Sequence, residues 1–99
     1  MKAFDLYGSR LDLEPALHEA EATLGLSFEP HESSYLGGNY YRCSDSFVLQ
    51  RNKELPSELA EPDFPEAATL LYVSAVADPD AVRERLADTN FAHLRRDQA

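Results

Sequence analysis

The run Thr69-Leu70-Leu71-Tyr72-Val73-Ser74-Ala75-Val76 is β-branched and apolar almost without interruption. Side chains alternate across a strand, so a strand with no clearly polar side must bury both faces. It has to lie inside a sheet, and the rest of the chain must supply its neighbours and its covers. Alternation puts Leu71, Val73 and Ala75 on one face and Leu70, Tyr72 and Ser74 on the other.

Two amphipathic helices are available as covers. Asp12 is a good N-cap, and Pro15 sits in the first turn, where its missing N–H has no partner to lose. Leu13, Leu17, Ala20 and Leu24 then recur on a 3.6-residue period, opposite Glu14, His18, Glu19 and Glu21. Gly25 is a left-handed stop, and Leu26 can fold back on the last turn. Asp78 caps the second helix with Pro79 at its first position, and Val82 and Leu86 point at the core.

Residues 2–7 alternate well enough for a first strand, closed by Gly8-Ser9. Residues 28–34, with Pro30, read as a loop. Residues 35–43 and 46–51 read as a hairpin turning at Ser44-Asp45, with Gly37-Gly38 marking a bulge or a close backbone approach. Residues 52–67 form a long loop with Pro56, Pro62 and Pro65, in which 57–60 can make one helical turn. Phe91 to Leu94 make a last short strand before a polar tail. The order is β-α-β-β-β-α-β in one domain over residues 1–99. The expected fold class is α+β: a two-layer sandwich, two helices on one face of a mostly antiparallel sheet of 4–5 strands, the other face open or covered by the proline-rich loop.

Eighteen acids stand against 9 Lys and Arg, a net charge of −9. Such a field repels phosphate backbones and anionic membranes and speeds encounter with a basic protein, so neither nucleic acid nor membrane is an expected partner. No stretch is apolar over the roughly 18 residues a membrane helix needs, and the first residues contain an acid and no apolar signal core; the expectation is a cytoplasmic protein. Cys43 is the single cysteine, which excludes an internal disulfide and a cysteine-based zinc site.

Motifs for chemistry are absent. His18-Glu19-Ala20-Glu21-Ala22 begins like a zinc-protease helix, but Ala22 stands where the second His belongs. Glu29-Pro30-His31-Glu32 sets a His among carboxylates with no ligand geometry fixed by the spacing. Cys43 follows Arg42, which lowers thiol pKa values, yet no base or oxyanion site is signalled beside it; a half-buried strand residue is the simpler reading. Gly8-Ser9-Arg10 is no nucleophile elbow, and Gly37-Gly38 lacks the Lys-Ser/Thr of a phosphate loop. No catalytic residue, metal ligand or cofactor is expected.

Two features point to binding instead. Tyr40, Tyr41, Arg42 and Tyr72 lie on strands and are the residue types that dominate binding hot spots. From position 54 to 82 the chain carries seven acids, among them Glu54, Glu58, Glu61 and Asp63, and no Lys or Arg. These eight residues are the candidate partner-binding set.

The stretch Tyr35-Leu36-Gly37-Gly38-Asn39-Tyr40-Tyr41-Arg42, with Phe47-Val48-Leu49-Gln50-Arg51-Asn52 and Leu70-Leu71-Tyr72-Val73, resembles small bacterial immunity proteins of polymorphic toxin systems. The resemblance covers about half the chain. It implies a short acidic cytosolic inhibitor that covers the active site of a basic toxin domain such as a nuclease. The competing expectation is a regulatory α+β domain that senses a small molecule.

Overall fold

The computed structural model describes residues 2–33, 38–53 and 58–98. Six strands, β1 (Ala3–Ser9), β2 (Glu29–Ser33), β3 (Gly38–Cys43), β4 (Phe47–Arg51), β5 (Thr69–Ser74) and β6 (Ala92–Gln98), form one open sheet in the order β2-β3-β4-β5-β1-β6. Every adjacent pair is antiparallel. The apolar strand β5 is interior, as its composition demands. With α1 (Leu13–Leu24) and α2 (Pro79–Leu86) the protein is α+β, and no helix among the described residues is long and apolar enough to cross a membrane.

The helices share one face of the sheet. Leu13, Ala16, Leu17, Ala20 and Leu24 of α1 and Leu86 of α2 join Tyr7, Leu49, Leu71 and Val73 in a single buried cluster, with Val82 packed against it. Gly25 ends α1 at φ 66° and ψ 33°, and its N–H donates to the Glu21 carbonyl at 2.9 Å. Only a residue without a Cβ takes this left-handed conformation freely. The Glu21 carboxylate then accepts from Phe28 N–H at 2.9 Å, which sets the path into β2. Asp12 occupies the N-cap of α1 but makes no side-chain cap bond, whereas Asp78 accepts from Ala81 N–H at 3.1 Å at the start of α2.

Three readings of the sequence are corrected. The sheet has six strands, not 4–5, because residues 29–33 are a strand rather than a loop. β2 is an edge strand with Glu29, Pro30, His31 and Glu32 all exposed, so it carries no apolar alternation to betray it; edges tolerate proline and favour charge. The last strand runs on through Gln98, so the polar tail is itself the other edge. Residues 58–60 do not form a helical turn; residues 35–37 of the expected hairpin, and residue 57, lie outside the described residues.

β6 has almost no apolar surface and is held by charge. Asp5 on β1, whose side chain is 1% exposed, accepts from Arg96 Nε at 2.7 Å and Nη2 at 2.9 Å, and His93 Nε2 lies 3.1 Å from its Oδ1. Arg96 Nη1 reaches on to Asp80 of α2 at 2.8 Å. Residues 93 and 96 would fall on opposite faces of a regular strand. A bulge solves this: Leu6 pairs with Arg95 and Tyr7 with His93, leaving Leu94 as the extra residue. Beneath, Tyr7 is buried with its ring edge-on to His93 at 5.1 Å and its hydroxyl without a hydrogen-bond partner among the described residues.

Burial alone pushes the Asp5 carboxyl up, but the Arg96 and His93 bonds more than reverse this and hold it below its ordinary 3.8. Its contribution to stability is therefore complete above pH 3.8 and is lost as pH falls through the lower folded value. Asp5→Asn is expected to lower the thermal midpoint by roughly 10 °C or more and to flatten the loss of stability below pH 3.8. Burial, with the Asp5 charge beside it, pushes the Tyr7 hydroxyl up to about 12. Because that hydroxyl is desolvated and unpaired, Tyr7→Phe is expected to stabilise the protein by about 1 kcal/mol in urea denaturation.

Candidate functional site

One row of directly paired residues crosses all six strands on the face away from the helices: Glu29, Arg42, Val48, Tyr72, Leu6 and Arg95. His31 and Tyr40 form the next cross-strand pair on this face, their rings stacked at 5.4 Å. Phe4, two residues from Leu6, extends the face at β1 and is 37% exposed.

Half of this surface is roofed. Ala60, Phe64 and Ala67, from the connection between β4 and β5, pack on Leu6, Leu70 and Leu94. Asn52, 3% exposed, pins the roof in place. Its amide nitrogen donates to the carbonyls of Phe64 and Ala67, both at 3.0 Å, and its carbonyl accepts from Glu61 N–H at 2.8 Å. The Glu61 carboxylate ties roof to sheet, accepting from Tyr72 OH at 2.7 Å and from Arg95 Nη1 at 3.0 Å. Those Glu61 bonds, with help from Asp97, hold Arg95 above its ordinary pKa.

Among the described residues this apolar roof is confined to the β5-β1-β6 half. The β2-β3-β4 half presents Tyr40, His31, Arg42 and Val48 half-buried or exposed. Arg42 makes a 3.2 Å ion pair to Asp45, whose side chain is fully exposed, so the pair contributes little and leaves the guanidinium available. At the open end, Ser27, Glu29, His31, Arg42, Cys43, Ser44 and Asp45 line a groove of about 460 Å³. Glu29 and Glu32 at the edge, and Glu58 and Asp63 on the roof, are exposed and enter no ion pair among the described residues.

The eight candidate residues therefore separate. Tyr40 and Arg42 share the uncovered face. Tyr41 points the other way, packs against the helix-side core and donates to Glu14 Oε1 at 2.6 Å, a bond that raises its pKa. Tyr72 and Glu61 are bound to each other beneath the roof, so they shape the surface rather than offer free groups. Glu58 and Asp63 are on the roof's outside, and Glu54 lies outside the described residues. Val48, His31 and Phe4 join the surface, and alternation on β3 and β4 was the signal that placed Val48 with Arg42. Asp5, His93 and Arg96, which sequence patterns did not single out, form the buried cluster described above; none of them lines the groove.

Chemically, the uncovered face offers a flat aromatic pair, a guanidinium fork and two apolar side chains beside uncompensated carboxylates. These are the elements of a protein-docking surface. Among the described residues no group of three or more His, Cys, Asp or Glu is placed to hold a metal. Cys43 packs partly buried against the helix-side core.

The roof makes its own prediction. Asn52→Ala removes three hydrogen bonds at once, one of them fully buried, and strands the Glu61 N–H; a loss of about 3 kcal/mol in chemical denaturation is expected, with faster amide exchange concentrated in residues 58–67.

No family model, curated protein or solved structure matches this chain.

Proposed function

We propose that this protein is a non-enzymatic binding module that captures a basic protein, in the manner of the immunity proteins its strand sequences resemble. Taken as a two-layer α+β sandwich, it keeps its helices behind the sheet and offers the uncovered half of the opposite face to the partner. The observation that carries this reading is the strip of Tyr40, His31, Arg42 and Val48, unroofed by any described residue and beside carboxylates that pair with no cation among the described residues. Aromatic and guanidinium groups supply short-range contact, and the net charge of −9 draws in a cationic cleft such as that of a nuclease. A cytosolic setting suits an inhibitor that protects the cell making the toxin.

The two kinds of residue are separable by kinetics. With the partner recovered by pull-down from the native host and identified by mass spectrometry, association is expected to slow as salt rises. The double reversal Glu58→Lys with Asp63→Lys should lower the on-rate by roughly tenfold at low salt, with little effect at high salt or on folding. Tyr40→Ala should instead raise the off-rate. Glu61 is left out of the reversal because it holds Tyr72 and Arg95. An acidic partner, or unchanged rate constants in both variants, would remove this reading.

A further inference from the structure

A second concave site lies at the far end of the β1–β6 ladder, away from the uncovered face. Gly8 pairs there with Ala92. Beside this small pair opens a cleft of about 270 Å³ bounded by Gly8, Ser9, Arg10, Glu66, Ala67, Asn90, Ala92 and Leu94. Its floor is tight: a Cβ on Gly8 would stand 2.7 Å from Leu94 Cδ1 and 3.0 Å from Ala67 Cβ. The bulge that aligns His93 with Arg96 is what lays Leu94 over Gly8 and closes the bottom.

The polar groups on the rim differ in how far they are already engaged. Ser9 Oγ accepts from Leu11 N–H at 3.1 Å, and the Asn90 amide donates to Glu19 at 3.1 Å. Arg10 and Glu66 have no hydrogen bond or ion pair among the described residues, and they do not bridge each other. The cleft is thus lined by one cation and one anion that are unpaired among the described residues, beside an apolar floor of Ala67, Ala92 and Leu94.

We propose that this cleft binds a small zwitterion of the α-amino acid class. A guanidinium takes a carboxylate through paired N–H donors, a glutamate takes an ammonium, and the apolar floor takes an aliphatic side chain. The volume sits just under the roughly 300 Å³ at which pockets for drug-sized ligands begin, which suits a ligand of amino-acid size. A ligand with a single charge would match only one of the exposed side chains Arg10 and Glu66, so the pair favours the dipolar form. The site is independent of the docking face, and its occupancy does not require a protein partner.

The test is an amide chemical-shift titration of the whole chain with L-valine and L-leucine, beside isobutyrate and isobutylamine, which carry the same branched carbon skeleton with one charge each. Saturable shifts at Gly8, Ala67 and Ala92 are expected for the amino acids, with Kd on the order of 1 mM. The single-charge compounds should bind roughly tenfold more weakly or worse, as should the amino acids to Arg10→Gln and to Glu66→Gln. Ala92→Phe, at an exposed edge position, should fill the cleft and abolish the shifts while far-ultraviolet circular dichroism stays native. Absence of saturable shifts with either amino acid up to roughly 50 mM would overturn the proposal. So would equal binding of valine and isobutyrate, or Glu66→Gln binding valine as the original chain does.

Discussion

The bidentate contact between Asp5 and Arg96 ties together β1, β6 and α2 at one buried point. β6 contributes few apolar side chains, α2 is short, and β1 would otherwise be an open edge. One carboxylate, desolvated within the sheet, gathers Arg96 and His93 from β6, and Arg96 extends the connection to Asp80 on α2. A buried charge pair seldom stabilises a fold more than a well-packed apolar pair would, but it admits few alternative arrangements. Here it selects one register for a strand whose own side chains would not otherwise define one.

The acidic, proline-rich connection has two sides with different roles. Its inner side is a small core of its own, with Ala60, Phe64 and Ala67 closing over Leu6, Leu70 and Leu94. Asn52 supplies what a strand pairing would have supplied, taking up one N–H and two carbonyls that would be costly to bury unpaired. Its outer side keeps Glu58 and Asp63 in water. The boundary of this roof also defines the boundary of the exposed aromatic surface, so the loop shapes the proposed docking face without having to contact a partner itself.

Much of this was legible from residue periodicity. The Leu13-Leu17-Ala20-Leu24 stripe, the Gly25 stop, the Asp78-Pro79 start and the alternation in β5 each rest on a local rule, and the structure places them accordingly. The edge strand β2 and the second half of β6, beyond the short strand expected at 91–94, escaped notice for one physical reason. An edge strand is selected against looking like a strand, and Glu29-Pro30-His31-Glu32 and Arg95-Arg96-Asp97 carry charge and proline in place of apolar alternation. The surface was half legible. Tyr40 and Arg42 alternate away from Tyr41, which follows from strand geometry alone. That Glu61 would be bound by Tyr72 and Arg95 depends on contacts 11 and 34 residues away along the chain, which no local pattern encodes. The Asp5 cluster spans 91 residues and depends on a bulge besides.

That bulge gives the strand slack in its length at one place only. Removing Leu94 would leave Leu6 opposite Arg95 and Asp5 opposite Arg96, so the ladder would become regular with both ion pairs kept, and the cost would be the apolar cover over Gly8. A residue added between Arg95 and Arg96 has no such slack: it would turn Arg96 away from Asp5 unless the strand bulged a second time. In this strand the place at which the chain is lengthened or shortened matters more than which residue is gained or lost.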